Sequence, residues 1–114
     1  MRIDKTYNHD VATGATEIDA FEVPIHCKNI TLQIFYAGLS HSDGTIEVKQ
    51  SQQMNVFDDI VDGSGTATVI TLASANTSCT INIVNIVTNK IQINLAKGSN
   101  TTGTITRIIY QFLK

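Results

Sequence analysis

Along "NITLQIFYA" the chain alternates without a break. Ile30, Leu32, Ile34 and Tyr36 fall on one side; Asn29, Thr31, Gln33 and Phe35 fall on the other. A two-residue period with one polar face predicts an antiparallel strand packed on one side only. The rhythm returns in "TIEVKQS", which turns Ile46 and Val48 inward and Glu47 and Lys49 outward, and in "IQINLA", where Ile91, Ile93 and Leu95 point in. "SCTINIVNIV" puts Cys79, Ile81 and Ile83 on one face, and "TATVITLAS" and the closing "TITRIIYQFL" also read as strands. A shorter strand around Ile18 to Val23 is stopped by Pro24.

Turn-forming stretches separate these runs: "GLSHSDG", "ANT", "TNK" and "KGSNTTG". "QQMNVFDDIVDGSG" is the least regular segment, a loop carrying a short strand or single helical turn near Val56 to Ile60 and closed by Gly63-Ser64-Gly65. Residues 1–16 are polar and aperiodic and read as an N-terminal arm that folding should not need, ahead of a domain spanning 17–114. Seven or eight short strands at this spacing predict an all-β fold. The expected form is a single antiparallel β-sandwich, jelly-roll or Ig-like, with a small barrel as the other solution.

A faint echo runs through the pattern. Shifted by 59 positions, "QIFYAGLSHSDGTI" lies over "QINLAKGSNTTGTI" with seven of fourteen residues identical. Chance can supply such a match in a chain this rich in Ile, Thr and Ser. Both copies have a strand, a loop, and a new strand opening at Gly-Thr-Ile, with the glycine expected to take the positive φ that ends the turn.

Composition agrees with the pattern. Sixteen Ile and fifteen Thr suit a pleated surface, and 114 residues make one domain able to build its own core. A net charge of −2 with eight scattered basic residues argues against a phosphate-tracking surface, so no nucleic-acid partner is expected. No apolar run is long enough to cross a membrane as a helix, and the first residues carry no apolar h-region. Cys27 and Cys79 are then expected as two thiols, bridged only if their strands are neighbours. The Asn-x-Ser/Thr triplets at Asn29, Asn76 and Asn100 read as ordinary β-protein composition.

The candidate chemistry is thin. Asp58, Asp59 and Asp62 beside Gly63 invite a calcium reading, but their spacing departs from the EF-hand pattern and no closing Glu follows. Adjacent Asp58 and Asp59 on a strand would face opposite ways, as would His26 and Cys27. No zinc spacing, nucleophile elbow or phosphate loop is present, so neither catalytic residues, metal nor cofactor are expected. Tyr36, Tyr110 and Phe112 read as core, whereas Phe35 shares its face with Asn29, Thr31 and Gln33 and reads as an interface anchor. A sugar-binding module is the fairer rival, with Phe35 as its test residue.

Leu39-Ser40, Asp43-Gly44, Thr45-Ile46, Gln50-Ser51, Phe57-Asp58 and Gly103-Thr104-Ile105, spread over roughly residues 30 to 110, resemble the pattern of small β-sandwich structural proteins of tailed-phage virions. The chain departs from that pattern at Gln52-Gln53-Met54-Asn55, where an Asp-Gly or Asn-Gly turn is expected, and after Ile91, where a Tyr-x-Arg often stands. The resemblance implies a non-enzymatic virion component assembled in the host cytoplasm, above all a capsid auxiliary or decoration protein. Its partners would be major capsid or tail subunits and copies of itself. A tail or host-attachment component with a carbohydrate-binding sandwich is the alternative. Contacts are expected at Ile3 and Tyr7 of the arm, at Phe35, and at Met54, Val56 and Phe57.

Overall fold

The computed structural model describes residues 1–12, 17–53, 56–59, 69–84, 86 and 88–113, with 51–53 and 56–59 described by their backbone alone. Nine strands follow one another among these residues: β1 (Arg2–Asp10), β2 (Glu17–Glu22), β3 (Asn29–Ala37), β4 (Gly44–Gln53), β5 (Val56–Asp59), β6 (Val69–Leu72), β7 (Ser78–Ile83), β8 (Lys90–Ala96) and β9 (Thr104–Leu113). One sheet runs β1-β9-β3-β7. The other runs β2-β8-β4-β5, with β6 also pairing β4. Every pairing is antiparallel. That order is a jelly roll. β6 lies along the first half of β4 and β5 along the second, so two short strands fill one strand's place.

The alternating residues explain why the sheets close on each other. Ile30, Leu32 and Ile34 of β3, Ile46 and Val48 of β4, Ile91 and Ile93 of β8, and Ile105 and Ile108 of β9 are all fully buried. Each such side chain stabilises the fold by roughly 1.5–3 kcal/mol relative to leaving it in water. Tyr36, Leu95, Tyr110 and Phe112 complete the same interior.

Residues 1–12 of the expected arm are not free. Arg2–Asp10 is an edge strand laid along β9, with Ile3 opposite Tyr110 and Lys5 opposite Ile108. Ile3 and Tyr7 pack against the core, and Val11 is 1% exposed. The end of the segment is tied as well, because Val11 N–H donates to the Gly103 carbonyl at 2.9 Å. Part of the expected boundary, at residues 13–16, lies outside the described residues.

The 59-residue echo is structural. β3 meets β9 with Ala37 opposite Thr104 and Tyr36 opposite Ile105. β8 meets β4 with Ala96 opposite Thr45 and Leu95 opposite Ile46, each the residue 59 places from its counterpart. β9 then carries one extra residue, Thr106, at a bulge, and the match resumes with Ile34 opposite Ile108 and Ile93 opposite Val48. The flanking strands obey the same relation. Ser78 and Asn82 of β7 stand against Phe35 and Thr31, as Glu17 and Glu22 of β2 stand against Asn94 and Lys90. Strands β1 to β4 therefore map onto β5/β6, β7, β8 and β9, which converts one sheet's order into the other's.

The two equivalent loops, 38–43 and 97–103, are knitted together. Asn100, fully buried, accepts from His41 N–H and donates to the Lys97 carbonyl, both at 2.8 Å. The Asp43 carboxylate accepts from Ser99 N–H at 2.9 and 3.0 Å, and Ser40 Oγ accepts from Thr101 N–H at 2.9 Å. Of the two glycines expected at positive φ, only Gly103 has it (+135°). At Gly44 the constraint is space: a Cβ there would sit 3.0 Å from Asn100 Nδ2, so the buried amide would have to shift by a few tenths of an ångström.

Replacing Asn100 by Ala should lower the unfolding free energy by about 1–3 kcal/mol, since it takes the acceptor from His41 N–H and leaves the Lys97 carbonyl only the backbone donor of residue 100. Urea unfolding will read this as a lower midpoint with an unchanged slope. Deleting residues 1–10 should leave β9 with a bare edge and an opened core, giving a molten or aggregating product by circular dichroism and gel filtration; a cooperative native-like melt would contradict the fold described.

Candidate interaction surfaces

The densest polar chemistry lies where β1 and β9 of one sheet approach β2 of the other. Asp19 Oδ2 receives Tyr110 OH at 2.6 Å, Tyr7 OH at 3.1 Å and Lys5 Nζ at 3.3 Å, and the two phenol oxygens are 2.5 Å apart. Lys5 also lies 5.4 Å from the Tyr110 ring centroid. Burial drives the Tyr7 hydroxyl up to about 12 and raises Tyr110 further, with the carboxylate beside it adding to the effect. Next to the cluster is a crevice of about 170 Å³ walled by Ile3, Phe21, Phe112 and Pro24. Phe21 meets the rings of Tyr110 and Phe112 edge-on at 5.4 and 5.9 Å. The expected contact residues Ile3 and Tyr7 therefore point into the sandwich.

Phe35 is on the outer face, as expected, but one side of its ring is taken. The Arg107 guanidinium sits 5.2 Å from the ring centroid while gripping Asp4 through Nε (2.8 Å) and Nη2 (2.5 Å). The Arg107 hydrogen bonds hold the Asp4 carboxyl below its usual range. Three adjacent strands, β3, β9 and β1, are thus strapped across their outer faces. Val56 and Phe57 lie on β5, and Asp58 and Asp59 pair in register with Gln50 and Lys49; the side chains of all four are outside the described part. Met54, Asp62 and Gly63-Ser64-Gly65 lie outside the described residues altogether.

Among the described residues no group of three or more His, Cys, Asp or Glu could hold a metal ion. Ser40 Oγ lies 3.0 Å from His41 Nδ1, yet the same oxygen accepts from Thr101 N–H, and Asp43 is turned to Ser99. This Ser-His-Asp run is loop architecture. Cys27 and Cys79 are free thiols, Cys27 donating to the Asn29 carbonyl at 3.3 Å and Cys79 pushed up to about 11 by burial. Asn100 is inaccessible to any modifying enzyme in the folded chain.

Two surfaces were invisible to sequence reasoning. One is a shallow groove of about 380 Å³ on the outer face of β2, β8 and β4, lined by Glu17, Thr45, Glu47, Lys49, Gln92 and Asn94. Gln92 Nε2 donates to Glu17 Oε1 at 2.6 Å, and Asn94 Nδ2 donates to Gln92 Oε1 at 2.9 Å. The other is a flank. From Gly63 to Asn89 the chain holds no Asp, Glu, Lys, Arg or His, and this stretch supplies β6 and β7, edge strands of opposite sheets joined by a short turn. Thr71, Thr80 and Asn82 are exposed there, as are Val69 and Val84. The missing charge could have been read from the sequence; its concentration on one side required the topology. The chain matches no protein-family model, and no curated protein matches it.

Tyrosines whose hydroxyls are harder to ionise in the folded state stabilise it below pH 10 and lose that contribution as pH rises through 10 to about 12. The melting temperature should fall across that window, and the fall should shrink in Tyr7→Phe and Tyr110→Phe. At neutral pH, Tyr110→Phe should cost about 1–3 kcal/mol, because it removes the shortest donor to a half-buried carboxylate.

Proposed function

We propose that the chain is a non-enzymatic structural protein of a tailed-phage particle, above all a capsid auxiliary or decoration protein that binds coat subunits and stabilises the shell. The observation that carries this reading is the uncharged flank. Depletion of charge is what distinguishes the centre of a protein–protein interface from ordinary surface, and β6 and β7 have it on neighbouring edges of the two sheets, the acids of β5 lying farther along β4. The sequence resemblance supports the same assignment, and jelly rolls are a frequent architecture of viral capsid and lectin domains. Fold alone does not assign a function, so the flank and the resemblance bear the weight. On this reading the partners are major capsid or tail subunits and further copies of the chain, without nucleic acid or membrane, and the site of action is the virion.

The polar groove on β2, β8 and β4 favours one second reading, a host-attachment component. Amide and carboxylate groups on neighbouring strands match the hydrogen-bonding demands of sugar hydroxyls.

Quantitative mass spectrometry of intact particles should find the chain in many copies, and treatments that strip it should lower the particle's thermal stability. A chain absent from purified particles would end the proposal. Glycan arrays separate the second reading: binding that disappears in Gln92→Ala and survives in Phe35→Ala would move the assignment to attachment.

A further inference from the structure

We infer that the outer edge of β7 is a docking edge for a second copy of this chain, joining two four-stranded sheets into one of eight strands. The phase of the β3–β7 ladder shows what the edge offers. Tyr36 N–H donates to the Thr77 carbonyl at 2.9 Å, so Thr77, Cys79, Ile81 and Ile83 direct their backbone groups toward β3. Ser78, Thr80 and Asn82 therefore direct theirs outward, where no described strand pairs with them.

Natural proteins blunt such edges with charge or keep them very short, and this one does both elsewhere, β6 running only from Val69 to Leu72. β1 carries Arg2, Asp4 and Lys5, and β5 carries Asp58 and Asp59. The most telling comparison is β2, the internal equivalent of β7. Glu17 occupies the register place of Ser78 and Glu22 that of Asn82, and both acids are exposed. Two copies meeting along β2 would set Glu17 against Glu22; two copies meeting along β7 would set Ser78 against Asn82.

A two-fold axis through Thr80 pairs it with Thr80 of the second copy and satisfies the free edge groups of both chains at once. Thr–Thr and Ser–Asn neighbours across such a pair can hydrogen-bond, and no like charges face each other. The side chains involved are small, polar and already outside the core, so the edge is ready to pair without rearrangement.

The inference rests on the geometry of this edge, not on the virion reading. A chain that pairs in solution but is missing from particles would leave it standing while sinking that reading. Analytical ultracentrifugation of the full chain should show a concentration-dependent dimer. The double variant Ser78→Glu/Asn82→Glu, which copies the charge pattern of β2, should run as a folded monomer. Thr80→Pro, which removes an outward N–H, should shift the same equilibrium with different chemistry. Hydrogen exchange should slow at Ser78, Thr80 and Asn82 as concentration rises. A wild-type chain that stays monomeric up to its solubility limit, or a dimer that both variants leave intact, overturns the inference; so would exchange at these amides that ignores concentration.

Discussion

Everything in this molecule hangs on one constraint: the inward residues of β3, β4, β8 and β9 must meet across the gap between two sheets. A one-residue slip on any of these strands would turn its buried Ile, Leu and Val to water and its Thr, Gln and Lys into the core. At roughly 1.5–3 kcal/mol per buried side chain, that interior outweighs every polar contact described. The Asp19 cluster and the Asn100 knot act differently. Their bonds cost little to make but much to leave unmade inside, so they select one register and one loop arrangement from those the apolar pattern would allow.

The two halves of the chain solve the same packing problem and then diverge. Interior positions have kept their character: Val11 and Leu72 are both buried beside a strand-opening glycine, and Ile34 and Ile93 hold matching places. Surfaces have not. β1 is one nine-residue strand, whereas its equivalent is divided into β5 and β6. β2 bears acids where β7 bears Ser and Asn.

The central strands were legible because their alternation is clean. "NITLQIFYA" and "IQINLA" name their own buried residues, and the structure agrees at each. β1 was hidden by Lys5 and His9, which stand in step with inward Ile3, Tyr7 and Val11 and break the apolar rhythm. Lys5 is tolerated there because its long stem reaches the mouth of the sandwich and meets Asp19. The Asp19 cluster joins Lys5 and Tyr7 of β1 to Asp19 of β2 and then to Tyr110 of β9, 91 residues on from Asp19, and no local pattern could announce that last partner. The same holds for Asp43, which reads as a residue of its own turn and in fact caps Ser99, 56 residues away.

The pairing of β1 with β9 also has a consequence in time. Its partner residues lie as many as 109 residues downstream (Arg2 opposite Gln111), so β1 must wait, unpaired, until β9 has left the ribosome. Assembly of this sandwich is therefore a late, non-local event of the slow kind. A nascent chain carrying aliphatic strands with no closing partner is the species on which chaperones and proteases would act.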